Sequence, residues 1–247
     1  MKNPHFYAVI IGTEILNGRR TDKHFSYIRE ALQARGYELF ASLTIKDDPL
    51  LIEQTYEMIK ADPDGVLFSF GGIGSTPDDL TREIASKVFT ANTTVRHKQF
   101  ERDIIERFKE EAYPHRIHMA DLPRRSQLLK NPVNNMSGFF LDERYFFVPG
   151  FPEMAHTMVE EALKRFYPKN RRSYRKTLVA QTSENTLIDI MKEVPQHLEL
   201  SSLPMLRNDT PSVELSLASH DLEELNRWFD LFINAVKKKD IPFSVMT

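Results

Sequence analysis

An α/β domain with a mostly parallel sheet covered by helices on both faces, followed by a small α+β unit, is the fold class this sequence predicts. Three observations predict it. Strand-like and helix-like stretches alternate at short spacing from residue 6 onward, as in a wound parallel sheet. The first of the strand-like stretches is a continuous apolar run, the mark of a strand buried on both faces. All nine glycines lie between Gly12 and Gly150, so the last 97 residues are compositionally a different segment.

The elements follow in order. FYAVIIG (Phe6 to Gly12) is a buried strand. KHFSYIREALQARG is an amphipathic helix with Phe25, Ile28, Leu32 and Tyr27 on its apolar face and Gly36 as C-cap. YELFASLTI is the second strand, DPLLIEQTYEMIKA the second helix, and GVLFSF the third strand, running straight into Gly71. Wound sheets bind ligands at the carboxyl ends of their strands. Gly12 to Gly18, Lys46 to Asp48 and Gly71 to Asp79 all fall at such ends. YPKNRRSYRK (Tyr167 to Lys176) reads as a linker between a domain at 1–168 and a smaller one at 173–247. The tail reads strand (KTLVAQ), helix (NTLIDIMKEV), strand (LELSSLPML), strand (SVELSLAS) and helix (DLEELNRWFDLFINAVKKK). On the last helix Leu222, Leu225, Phe229, Phe232 and Val236 form one face with Trp228 alongside. Three large aromatics there exceed what so small a core needs, and aromatics are enriched in subunit interfaces, so the tail is expected to serve assembly.

Composition narrows the function. The chain has 247 residues, 41% hydrophobic and 28% charged, enough for a real core. A formal net charge of −2 makes no case for nucleic acid or a membrane surface. There is no cysteine, which excludes disulfides, thiolate metal sites and a cysteine nucleophile. The N-terminal apolar run is too short for a signal peptide and nothing approaches a membrane span, so a cytoplasmic protein is expected.

GGIGSTPDDLT, Gly71 to Thr81, carries a conflict. Glycines let a phosphate approach backbone amides, whereas a carboxylate about 4 Å from that phosphate costs roughly 4 kcal/mol. Mg²⁺ or another divalent cation between them reverses the sign. The competing reading is structural: Thr76, Pro77, Asp78 and Asp79 match Ncap, N1, N2 and N3 of the next helix. Asp47 and Asp48 likewise match caps of the helix starting at Pro49. The loop lacks the GK[ST] ending of a P-loop and the third glycine of a dinucleotide fingerprint. His115 and His118 are the one histidine pair near metal-ligand spacing, and Arg124 and Arg125 a basic pair that suits solvent or phosphate.

GTEILNGRRTDKH, IKDDP, FSFGGIGSTPDDLTRE, NPVNNMSGF and FVPGFPEM together resemble the successive motifs of the MoaB/Mog-type molybdopterin-binding domain family, in the wording of its CinA-like members. The resemblance covers residues 4 to 168 and implies a three-layer α/β/α fold. It implies Asp47 and Asp79 as catalytic carboxylates holding a divalent cation. It implies a phosphate cradle of Gly71, Gly72 and Gly74 with Ser75 and Thr76 as hydroxyl donors. Gly12 and Glu14 would form one pocket wall, and Pro149, Gly150 and Pro152 the far side. The tail resembles the small middle domain of CinA-like proteins. Two departures stand out: many relatives read D-T-N where this chain has Asp22, Lys23 and His24, and the deamidase half of full-length relatives is not in this sequence. The ligand implied is an adenine nucleotide diphosphate or molybdopterin, in a homo-oligomer. Three functions follow: a Mg²⁺-dependent pyrophosphohydrolase on ADP-ribose or a similar compound, a molybdopterin-binding or adenylylating protein, and a nucleotide binder without turnover.

Overall fold

A computed structural model describes residues 4–169, 173–207 and 210–246. The chain divides into two compact units, Met1–Asn170 and Arg171–Thr247. Residues 170–172, the centre of the expected linker, lie outside the described residues.

The first unit runs β1 (His5–Ile11), α1 (Thr13–Leu16), α2 (His24–Gln33), β2 (Leu39–Ile45), α3 (Pro49–Ala61), β3 (Gly65–Phe70) and α4 (Thr81–Phe89). It continues with β4 (Thr94–Arg96), α5 (Lys98–Phe108), β5 (Asp121–Pro123), β6 (Gln127–Leu129), β7 (Gly138–Leu141), β8 (Tyr145–Val148) and α6 (Pro152–Phe166). Six strands form one sheet in the order β2-β1-β3-β8-β7-β6, and β4 pairs with β5 separately. The pairs β1/β2, β1/β3 and β3/β8 are parallel. The pairs β7/β8 and β6/β7 are antiparallel, so the sheet is mixed and mostly wound.

Strand alternation splits the apolar run of β1 between two cores. Tyr7, Val9 and Ile11 join side chains of α3, α4 and α5 on one face. Phe6, Ala8 and Ile10 join those of α2 and α6 on the other. A strand buried on both faces needs apolar residues at every position, which is why no polar alternation is visible there. This is the three-layer α/β/α arrangement.

Several local expectations are revised. The buried face of α2 is His24, Ile28, Ala31 and Leu32, and Phe25 is exposed, because the face turns toward α6 by one position. Gly36, at φ +76°, ends that helix in a Schellman-type turn, with Gly36 N–H donating to Gln33 O and Tyr37 N–H to Leu32 O. The hairpin β7–β8 was not anticipated. It turns through Asp142 and Glu143, both at left-handed φ, a geometry suited to the right-handed twist of the flanking strands.

The second unit holds β9 (Tyr174–Ala180), α7 (Ile188–Glu193), β10 (Glu199–Arg207), β11 (Thr210–Ser219), α8 (Leu222–Lys238) and β12 (Phe243–Met246). Its sheet is antiparallel throughout, in the order β10-β11-β9-β12. The closing strand β12 was not anticipated. Asp221 caps α8, accepting from the N–H groups of Glu223 and Glu224. Phe229 and Phe232 are buried in the unit's own core and Trp228 packs against it, while Leu222 is exposed. These aromatics are therefore not surplus to the unit: the sheet they cover is large enough to bury them.

Candidate functional site

The strand order brings four loops to one edge. The parallel strands β1, β2, β3 and β8 end at Ile11, Ile45, Phe70 and Val148, and their following loops line a single cavity of about 450 Å³. Glu14, Asp47, Gly71, Gly72, Gly74, Ser75, Thr76, Asp79, Pro149 and Gly150 all lie on its wall. Gly12 does not: it sits behind the wall, its N–H on Ile45 O at 3.0 Å and its α-carbon side filled by the Glu14 carboxylate.

The glycine loop is anchored from every side. Gly71 N–H donates to Val148 O at 2.9 Å, and Gly71 has φ +100° with its Cα against Ile11 O, where a Cβ would come to 2.5 Å. Gly72, at φ +69°, would place a Cβ 2.4 Å from Thr81 Oγ1. Both positions therefore demand glycine. The first residues of α4 hold the next carbonyls: Thr81 Oγ1 donates to Gly71 O, Thr81 N–H to Gly72 O, and the Arg82 guanidinium to Ile73 O. Burial lowers the pKa of Arg82, opposed by the charges of Asp79 and Asp121. Behind the loop the buried Tyr56 hydroxyl meets Ser69 Oγ at 2.7 Å, and burial pushes its pKa up to about 12.

The structural reading of TPDD is revised. Helix α4 starts at Thr81, with Leu80 as an N-cap that makes no side-chain bond. Asp79 instead staples the loop: Oδ1 accepts from Gly74 N–H at 2.8 Å, and Oδ2 from Thr76 N–H at 2.8 Å and Thr76 Oγ1 at 2.6 Å. A carboxylate offers two oxygens and can take three donors within a six-residue loop. The proton of the Thr76 hydroxyl and the amides of Gly71, Gly74 and Thr76 are thus committed within the protein, which revises their expected role as phosphate donors. The amides of Gly72, Ile73 and Ser75 have no acceptor among the described residues.

Asp47 and Asp48 separate cleanly. Asp48 is the N-cap of α3, accepting from Leu51 N–H at 2.8 Å. Asp47 faces the cavity, and its Oδ2 accepts from Thr13 N–H and Thr13 Oγ1, each at 2.8 Å. Its Oδ1 has no protein partner. Among the described residues the wall carries four carboxylates, Glu14, Asp47, Asp78 and Asp79, and one cationic side chain, Arg20. A polyanion entering alone would be repelled.

The remaining wall comes from Phe100 of α5 and Met119, which belong to no motif, and from Asn134, Met136 and Ser137. The buried Asn131 shapes that last loop, donating to Asn134 Oδ1 and Met136 O and accepting from Val133 N–H. The visible signal was NPVNNMSGF, whose asparagines mark side-chain-to-backbone turns. Sequence reasoning did not place Phe100, Met119 or Arg20. His118 pairs with Asp121 at 2.8 Å, and neither it nor His115 lines this cavity. Arg125 pairs with Asp142 and also stands apart from it.

Among the described residues no three histidine, aspartate or glutamate side chains are close enough to share an ion. A self-sufficient metal cage is therefore not built here. The donor set fits a hard cation that completes its shell from ligand oxygens, since Mg²⁺ characteristically uses one or two carboxylates plus phosphate. No helix is long and apolar enough to cross a membrane among the described residues.

A sequence profile described as "Probable molybdopterin binding domain" matches residues 7–169. A CinA-like protein of Citrifermentans bemidjiense is 33% identical over 160 residues, which is 62% of this chain but 38% of that protein's length. A protein of Sulfolobus acidocaldarius is 27% identical over 254 residues, covering 96% of this chain and 95% of its own. The crystal structure of CinA from Thermoplasma acidophilum, a protein of unknown function, superposes with a TM-score of 0.58 at 23% identity, covering 65% of this chain and 97% of that one.

Proposed function

The chain belongs to the probable molybdopterin binding domain family, and from that premise we propose that it is a divalent-cation-dependent nucleotide pyrophosphohydrolase of CinA-like type, acting on ADP-ribose or a similar adenine diphosphate compound. The observation that carries the reading is the pairing, in one cavity, of the free amides of Gly72, Ile73 and Ser75 with the unpartnered Oδ1 of Asp47. Amides attract phosphate and the carboxylate repels it, and a cation reconciles them.

In this reading the three amides and the Ser75 hydroxyl donate to the diphosphate oxygens. Asp47 would hold the cation, its Oδ1 being the unpartnered oxygen, while Thr13 fixes the other one. Asp79 keeps the loop shaped and lends its charge to the same cavity, so its role is chiefly positioning. When bound, the cation supplies charge neutralisation and makes water a better nucleophile. Hydrolysis adds the hydroxyl of water to one phosphorus, breaks the bridging P–O bond and leaves the proton on the other phosphate, giving AMP and ribose 5-phosphate.

The family description favours a second reading, binding or adenylylation of molybdopterin, in which the same loop holds the pterin phosphate. A nucleotide binder without turnover is the third. One experiment separates them: pure protein with ADP-ribose, FAD, ATP, and ATP plus molybdopterin, with and without Mg²⁺. AMP from ADP-ribose or FAD that disappears with EDTA supports hydrolysis. Adenylylated pterin supports the second reading. Binding by calorimetry with no product supports the third, and no binding of any of them defeats all three.

A further inference from the structure

The six-stranded sheet of the first unit ends in β2, which pairs with β1 on one side and, among the described residues, with no strand on the other. An open edge of this kind is a template for another strand, and proteins ordinarily blunt it by shortness, proline or charge. The other sheet edges are blunted in these ways. β4, β5 and β6 are three residues long and β12 four, and β10 carries Pro204 within it. β2 has none of these protections. Its seven residues, LFASLTI, include no charge and no proline.

Apolar surface continues from that edge onto α3. In the β1/β2 ladder Leu39 pairs with Phe6 and Ala41 with Tyr7, so Phe40 is the extra residue of a bulge. Phe40 is 57% exposed, its ring stacked on His5 at 4.2 Å and edge-on to Tyr7 at 5.2 Å. Tyr7 in turn donates its hydroxyl to Asp62 at the end of α3. One flank of α3 is held by α4, through Glu53 with Lys87 and Lys60 with Val88 O. Leu51 and Met58, seven residues apart, lie on the opposite flank and are 38% and 49% exposed. Phe40, Met58 and Leu51 thus extend the uncharged edge as an apolar strip.

We propose that β2 seats the β2 of a second copy of this chain, antiparallel about a two-fold axis at Ser42, joining two six-stranded sheets into one. Charge selects this occupant and this register. Glu38 precedes the strand and Lys46 follows it, so self-pairing centred on Ser42 brings Glu38 of each copy close to Lys46 of the other. Centring on Leu43 would bring Glu38 against Asp48 instead. Like charges directly opposite are unfavourable, and an uncharged strand is the kind that can face itself. A two-fold axis perpendicular to the sheet also puts both copies of α3 on one face, where the two apolar strips meet. The contact is isologous and closes at two copies. It is independent of the nucleotide reading.

The test uses the full chain. Light scattering over a concentration series should give twice the chain mass of 28.8 kDa for the natural protein. Ser42→Lys, at an exposed position, sets two positive charges on the axis and should return the chain mass with an unchanged melt. Because the chain has no cysteine, Ser42→Cys is a clean probe. Residues directly opposite in an antiparallel pair have Cα atoms about 4.5–5.5 Å apart, within disulfide reach. Mild oxidation should therefore link Ser42→Cys into a covalent dimer and leave Ser201→Cys, exposed on β10, as single chains. If Ser42→Lys does not fold, the two cysteine variants decide alone. A natural chain that stays at single mass, a Ser42→Lys protein of unchanged double mass, or linking through Ser201 rather than Ser42 would each overturn the inference.

Discussion

Replacing Asp79 by asparagine tests whether this carboxylate holds the loop or only the cation. Asp79 receives three hydrogen bonds, one on Oδ1 from Gly74 and two on Oδ2 from Thr76. Asparagine offers one carbonyl oxygen. If that oxygen keeps the two Thr76 bonds, its NH₂ group faces the Gly74 N–H, and a partly buried donor loses its acceptor. An orphaned donor costs about 1–3 kcal/mol, and the two remaining bonds lose their charge assistance. The expected destabilisation is about 2 kcal/mol, or about 4–8 °C for a unit of this size. Asp47→Asn is the matched control. Its two bonds both fall on Oδ2, so the asparagine oxygen can take that place with the NH₂ group turned to the cavity, and stability should stay within about 1 kcal/mol. The single tryptophan, Trp228, belongs to the second unit, so scanning calorimetry is the assay for the first. Asp79→Asn melting with the natural chain, or Asp47→Asn losing as much as Asp79→Asn, would refute the assignment of roles.

Gly71→Ala should destabilise the first unit by about 2 kcal/mol or more in urea titration, since the new Cβ meets Ile11 O at 2.5 Å at φ +100°. The rings of His24 and His156 are held neutral by burial, with pKa values lowered. The unfolded chain then binds more protons below its ordinary histidine pKa of about 6.5, so stability is complete above that pH and falls on acidification through it. Melting at pH 7.5 and 5.5 should show that loss, and His24→Gln with His156→Gln should flatten it; an equal slope in the double variant would reject the assignment. Phe229→Ala, at a site 3% exposed, should cost the second unit about 3–5 kcal/mol, read through Trp228 fluorescence. A normal melt with altered mass on light scattering would return that side chain to an interface.

The sequence by itself determined what depends on near neighbours. Unbroken apolar runs specified strands buried on both faces, and 3.6-residue patterns specified the helices over them. Asp48 before Pro49 specified a helix start, and the glycines of GGIG specified a backbone that side chains would obstruct. The hairpin β7–β8 and the strand β12 escaped because each is only four residues long, too short for periodicity to speak. What only the tertiary structure decided depends on partners distant in the chain. Asp47 and Asp48 are indistinguishable as letters, yet one caps its own helix while the other reaches Thr13, 34 residues away. Asp79 sits where a helix cap would, but Gly71 is pulled to Val148 and its carbonyl to Thr81, so the loop closes on itself before the helix begins. Phe100, Met119 and Arg20 reach the cavity because strand order, a property of the whole sheet, places their segments around one edge. Local free energy selects the elements, but burial and hydrogen-bond satisfaction across the sheet decide which atoms of a carboxylate or an amide are left for a ligand.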